Sequence, residues 1–365
     1  MHRSAPSTLT RALRRAGVVL VSCLAVATLA SCGGGTQSKK FEPQALVVFG
    51  DELSLITSDG QAGVSASEGA LYSVAKYVDG TTGPYDCKAN YNWIMLFADA
   101  QGFKFDNECR DWISDQVNLK TAVMLANDPQ DVRVDNDASV AVAVANAGVD
   151  AILAKMNANL SKLNDATLVT VNGGRADIVQ AYRQYLASPE SLSVIVDQLT
   201  DKGRRFAKGL KPALNTGARM LLVLSPRLGD SPLASQDAAN ATRNQEAMTT
   251  LSKAFNEAVE LQAVREGYTG QQLGLVRLDQ ALEVVLANVA VLGSGNSYGL
   301  TNTLDVACNA STVRSSAPLC LESDLVESGA QDDYLWADAT HLTVAGSVQS
   351  LFANYMTARL ASQPF

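Results

Sequence analysis

The chain has 365 residues, 47% of them apolar and 18% charged, and it carries 37 acidic against 29 basic side chains. Four of the basic residues lie in the first 15 positions, so the rest of the chain sets 25 basic against 37 acidic residues, a formal balance of −12. With no basic run longer than Lys39-Lys40 or Arg204-Arg205, that balance excludes nucleic acid and anionic membrane surfaces as expected partners.

The first element is a leader. Arg3, Arg11, Arg14 and Arg15 precede an apolar run from Ala16 to Thr28, and Leu29-Ala30-Ser31-Cys32 closes it with small residues before a cysteine. About 14 apolar residues are too few to span a bilayer. The tetrapeptide resembles a bacterial lipobox, which implies lipidation at Cys32; an ordinary cleaved secretory signal is the rival reading. Residues 1–31 are thus expected to be a lipoprotein signal peptide and 32–43 a lipidated cysteine with a Gly/Ser-rich flexible tether. No Asp follows Cys32. In a Gram-negative host this leads to an expectation of outer-membrane sorting, facing the periplasm or the outside.

Residues 44–365 are enough for one large α/β domain. Ala45–Phe49 reads as a strand that runs into Gly50-Asp51-Glu52 and an expected helix. Such a strand-to-helix turn places a side chain at the carboxyl edge of a parallel sheet. Further strands are expected at Leu168–Val171, closed by Asn172-Gly173-Gly174, at Met220–Leu224 and at Leu273–Leu278. Helical spacing links Val194, Ile195, Leu199, Phe206 and Leu210, then Ala247, Leu251, Phe255, Ala258 and Leu261, and finally Val348, Leu351, Phe352 and Tyr355. One more strand must lie between 110 and 145, where the pattern does not locate it. Segments 80–115 and 300–335, rich in Gly, Asn, Asp, Ser and Cys, read as disulfide-pinned loops around the mouth of a site.

Beyond Cys23 and Cys32 four cysteines remain: Cys87, Cys109, Cys308 and Cys320. An even count in an exported chain suggests two disulfides, and proximity favours Cys87–Cys109 and Cys308–Cys320 over the other pairings. A metal site is not expected, because there is no CxxC pair and His341 is the one histidine after the leader. No cofactor is expected either.

Phe49-Gly50-Asp51-Glu52-Leu53-Ser54 resembles the first motif of the SGNH/GDSL hydrolases, Phe-Gly-Asp-Ser-x-Ser, with Glu52 where the family has its nucleophilic serine. Asp338-Ala339-Thr340-His341 resembles the family's last motif, in which the Asp orients the His that serves as general base. Intervening segments resemble its lipase and haemolysin-like branch: Asn92-Trp93 through Phe97-Ala98, Leu224 through Pro232, and Ser297 through Asn302 ahead of Cys308. Gly148 stands where the second-motif oxyanion glycine is expected. Val171-Asn172-Gly173-Gly174-Arg175-Ala176-Asp177 keeps the glycines and the Asp of the third motif, but Arg175 or Ala176 falls at the oxyanion Asn position. Asn172 would substitute only through a different bend of the loop.

The resemblance covers about residues 45 to 360 and implies a three-layer α/β/α, flavodoxin-like sandwich with a five-stranded parallel sheet. It implies hydrolysis of carboxyl esters, lipid or acyl, and a small acyl ester or lipid-like molecule as ligand. A glutamate cannot form the serine acyl ester, and its charge opposes a developing oxyanion. Three readings follow. Ser54 takes over as nucleophile; Glu52 or His341 activates a water, with Arg175 holding substrate charge; or the site is catalytically silent and the cleft binds a ligand or partner at the envelope. In that last case Glu52 and Arg175 are expected to form an ion pair, with His341 and Asp338 completing a cluster. Oligomeric state is not legible in the sequence.

Overall fold

Strands that are covered on both faces need uninterrupted apolar runs rather than an alternating pattern, and Ala-Leu-Val-Val-Phe at Ala45–Phe49 forms the first such strand, β1. The computed structural model describes residues 41–56, 74–76, 91–105, 120–126, 148–268, 270–309, 320–363 and 365. Glu42–Phe365 constitute one compact unit. Its main sheet has six strands in the order β2-β3-β1-β4-β5-β6. They are β1, β2 (Phe103–Phe105), β3 (Lys120–Met124), β4 (Thr167–Gly173), β5 (Arg219–Leu224) and β6 (Leu273–Val276), and every pairing is parallel.

The sheet therefore exceeds the expected five strands by one. β3 is the strand that had to lie between 110 and 145. β2 is the addition, a three-residue edge strand paired to β3 from Phe103↔Lys120 to Phe105↔Ala122. It is too short for periodicity to reveal, and β3 is only partly buried, so neither reads as an apolar run. β6 also stops before Leu278, because Leu278 and Asp279 open the next helix and Arg277 caps it.

Among the described residues, seven longer helices flank the sheet: α1 (Trp93–Ala100), α2 (Val149–Ala158), α3 (Arg175–Ala187), α4 (Leu192–Gly209), α5 (Ala241–Arg265), α6 (Leu278–Leu292) and α7 (Gly346–Ser362). They fall into two packed groups. On one side α7 packs on α1, β5 and β6, with α6 against α7; on the other α4 and α5 pack together, joined by α2 and α3. This is the expected α/β/α sandwich. The α4–α5 seam is tight: Phe206 and Phe255 stack at 6.3 Å, and a Cβ at Gly203 would touch the Phe255 carbonyl and Ala258.

Segment 80–115 is not loop alone, since it carries α1 and β2. Segment 300–335 contributes β7 (Asn302–Val306), which pairs in parallel with β8 (Tyr334–Trp336) in a second, two-stranded sheet. Cys308 and Cys320 form the expected disulfide, with Cα atoms 6.1 Å apart. The expected partners Cys87 and Cys109, like Cys32 and the rest of the leader and tether to residue 40, lie outside the described residues.

β1 sits between β3 and β4: the chain lays β2 and then β3 on one side of it, and crosses to place β4, β5 and β6 in turn on the other. The crevice at the carboxyl ends of β1 and β4 is thus the topological switch point, where open parallel sheets hold their ligands.

Candidate active site

At the end of β1 the chain turns through Gly50, whose φ is +142°, and a Cβ there would collide with the side chain of Asn172. Only glycine allows that approach. Asp51 then caps a single 3-10 turn, Glu52–Ser54, by accepting the Leu53 N–H at 3.1 Å. Asn172 at the end of β4 clasps this turn. Its amide donates to Asp51, and its carbonyl oxygen accepts from the Ser54 hydroxyl. From the other side, Trp93 Nε1 donates to the Leu53 carbonyl at 2.8 Å and Asn92 Nδ2 to the Leu55 carbonyl at 3.2 Å. The Asn-Trp segment at the start of α1 is therefore a clamp on the turn.

The turn delivers Glu52 into a fully buried position. Its Oε1 lies 2.9 Å from His341 Nε2 and is ion-paired with the Arg175 guanidinium. Arg175 is the first residue of α3, launched by Gly174 at φ +108°, and its Nη1 donates to Thr340 Oγ1 at 3.0 Å. His341 Nδ1 is 2.8 Å from both oxygens of Asp338. Asp338 Oδ1 also accepts the backbone N–H groups of Thr340 and His341, each at 2.9 Å, which fixes the carboxylate on its own turn.

Both ring nitrogens of His341 thus face carboxylate oxygens, and both need a hydrogen to satisfy them. The doubly protonated imidazolium fits this position. Burial and the charge of Arg175 work against it, yet Asp338 and Glu52 prevail and raise its pKa above the ordinary 6.5. Burial would likewise raise Glu52, but Arg175 and His341 bring it down to about 2. Burial and the adjacent Glu52 charge push Asp51 up to about 7. Two carboxylates, one guanidinium and one imidazolium accordingly balance within a site that is almost closed to water. Glu52 Oε2 and Asp51 Oδ2 have no hydrogen-bond partner among the described residues.

The sequence-predicted residues divide on this geometry. Glu52, Arg175, Asp338 and His341 come together. Ser54 does not face His341: it is buried and its hydroxyl proton goes to Asn172, while His341 Nε2 is occupied by Glu52. This arrangement replaces the expectation of Ser54 as a stand-in nucleophile. Asn172 likewise spends its amide on Asp51 rather than presenting it to an oxyanion. Gly174 serves the turn into α3, and a Cβ there would run into the ring of Phe255. Gly148 is the N-cap of α2, and the next N–H, Val149, donates to Asp177 at 2.9 Å. Asp177 is in turn paired with Lys202 at 2.6 Å.

Three supports went unread in the sequence. Thr340 anchors Arg175 to the Asp338–His341 turn. Leu233 N–H donates to the Ala339 carbonyl at 3.0 Å, so the segment after β5 braces the same turn. Gln349 receives the Trp93 N–H and donates to the Thr343 carbonyl, both at 2.8 Å, joining α1 to the chain after His341. The x positions of Asp-x-x-His and the lone Gln of α7 carried no pattern that could have marked them. The disulfide adds a fourth support. Cys308 and Cys320 pack with Val74, Ala337 and Val344, and Cys308 N–H donates to the Ala337 carbonyl at 2.9 Å, one residue before Asp338.

No family model and no curated protein matches the chain. Among solved structures it is similar to an extracellular lipase from Streptomyces rimosus, at 14% identity over 87% of this chain and 99% of that one, with a TM-score of 0.40. It is also similar to an acetylxylan esterase from Geobacillus stearothermophilus, at 12% identity over 89% and 98%, TM-score 0.38. An α/β hydrolase enzyme from the metagenome of Lake Arreo, Spain, aligns at 14% identity over 88% and 98%, TM-score 0.36.

Proposed function

We propose that this chain is an exported, lipid-anchored protein of the SGNH/GDSL ester-hydrolase type, in which the carboxyl-ester-cleaving site has become a closed ion-pair cluster. Its role is then to bind an acyl ester or lipid-like ligand, or a partner, at the cell envelope rather than to turn over esters through a serine. The supporting observation is that Glu52, fully buried at the end of β1, occupies His341 Nε2 and the Arg175 guanidinium at once. In the serine mechanism Nε2 must be free to take the nucleophile's proton. Here a carboxylate holds it, and that carboxylate sets negative charge where an oxyanion would develop.

One test reads hydrolysis of short- and medium-chain acyl esters, with fluorophosphonate labelling alongside. The wild type is expected to be inert and unlabelled. Glu52→Ser combined with Arg175→Asn is expected to gain activity that His341→Ala then removes. A second reading rests on the intact Asp338–His341 pair and on Glu52 Oε2, which has no hydrogen-bond partner among the described residues: hydrolysis of the same ester class with water as nucleophile, activated by Glu52 or His341. Wild-type turnover abolished by His341→Ala would establish that reading and end the first.

A further inference from the structure

Helix α6 carries apolar side chains on the wrong side. Val291 is 81% exposed, Leu292 50% and Val284 47%, and Ala287 and Ala290 are exposed between them. Positions 284, 287 and 291 follow one another along a single helical stripe. No charged residue occurs between Glu283 and Asp305, so the exposed stripe and the Gly-Ser-Gly turn that follows form an uncharged apolar surface. By length and composition Leu278–Gly295 could cross a membrane. It does not do so within this fold, because Leu278, Ala281, Leu282 and Val285 are buried.

We infer that this stripe docks the domain onto the surface of a neutral phospholipid bilayer. Two observations choose the occupant. First, about 12 residues separate Cys32 from β1, a reach of at most about 40 Å when extended. On the lipoprotein reading, on which this inference rests, the domain stays in the neighbourhood of the bilayer, so the bilayer is the apolar partner the exposed stripe meets first. Second, the acidic balance of the molecule opposes anionic headgroups, whereas an uncharged stripe meets zwitterionic lipid without penalty. Docking would bring the site along. The Tyr298 carbonyl, six residues beyond α6, accepts a hydrogen bond from Ser347 Oγ at 2.6 Å, and Ser347 lies in the first turn of α7, the helix that follows the His341 turn.

The experiment uses the unlipidated compact unit, Glu42–Phe365, which contains the whole sheet and its flanking helices, and measures co-flotation with phosphatidylcholine vesicles. The unit is expected to float with them. Partitioning should be insensitive to salt and should fall about tenfold or more in Val284→Ser/Val291→Ser/Leu292→Ser. Those positions are exposed, so the variant is expected to keep the wild-type melting temperature. No flotation of the wild type, or flotation only with anionic lipid at low salt, would overturn the inference. So would a wild-type dimer in sedimentation that the triple variant converts to monomer, since the stripe would then belong to a second copy. Palmitate labelling of the full chain against Cys32→Ala tests the anchor separately, so loss of the anchor and loss of docking are read apart.

Discussion

Glu52 is held by two cations at one oxygen atom, and the worth of that arrangement depends on what is left when it goes. A buried ion pair adds little net stability over an apolar pair of equal volume, but removing one partner strands the other without solvent. Glu52→Ala would leave Arg175, a residue only 9% exposed, without the Glu52 carboxylate. The expected loss is about 3–5 kcal/mol in urea unfolding. Adding Arg175→Met should recover most of it, because the buried guanidinium that lost the Glu52 carboxylate is then gone as well. A Glu52→Ala protein within about 0.5 kcal/mol of wild type would mean that the cluster is solvated. Glu52 and Arg175 were legible as partners because each stands at a position where the resembled family converges its nucleophile and an oxyanion donor. Thr340 was not, because a threonine inside Asp-x-x-His has no spacing relation to α3.

At the scale of elements, the Asp338–His341 turn hangs between β8 and α7 and owes its position to neighbours far away in sequence. The Cys308–Cys320 bridge, spanning 12 residues, anchors the strip that hydrogen-bonds Ala337. Closing a loop of that size stabilises by about 3 kcal/mol or less. Cys308→Ala/Cys320→Ala should lower stability by that order, and it should also raise backbone hydrogen exchange at Ala337–His341 more than in β4. Equal exchange in the two places would show that the bridge staples the fold without supporting the turn. Strand positions were read well where burial on both faces produced apolar runs, as in β1, β4 and β5. β2, at the sheet's edge, has only three residues, and β3 beside it is partly exposed, so neither shows such a run. The end of β6 was overrun because Leu278 continues the apolar pattern while already being helical.

The whole molecule feels its cluster through pH. Glu52 has a folded pKa of about 2 against an ordinary 4.5, so its contribution is full above 4.5 and is lost as the pH falls toward 2. His341 has a folded pKa above its ordinary 6.5; its contribution is full below 6.5 and fades as the pH rises through the folded value. Asp51, raised from 3.8 to about 7, favours the folded state in its protonated form and adds to the alkaline loss between those values. Stability should therefore be greatest in mildly acidic solution and decline on both sides. Urea midpoints measured from about pH 3 to 9 would check this. In His341→Gln the part of the alkaline decline that lies above pH 6.5 should flatten, and an unchanged decline would remove the imidazolium from the account.

The turn after β1 has a further consequence. Gly50 shapes it through its backbone, Asp51 caps it, Asn172 clasps Asp51 and Ser54, and Trp93 and Asn92 grip the carbonyls of Leu53 and Leu55. None of these bonds uses the side chain at position 52. The turn is a socket, and whatever is plugged into it meets His341 and Arg175 at the same place. Exchanging the carboxylate for a hydroxyl there asks nothing of the backbone, so Glu52→Ser is expected to keep the turn and change only what His341 and Arg175 meet.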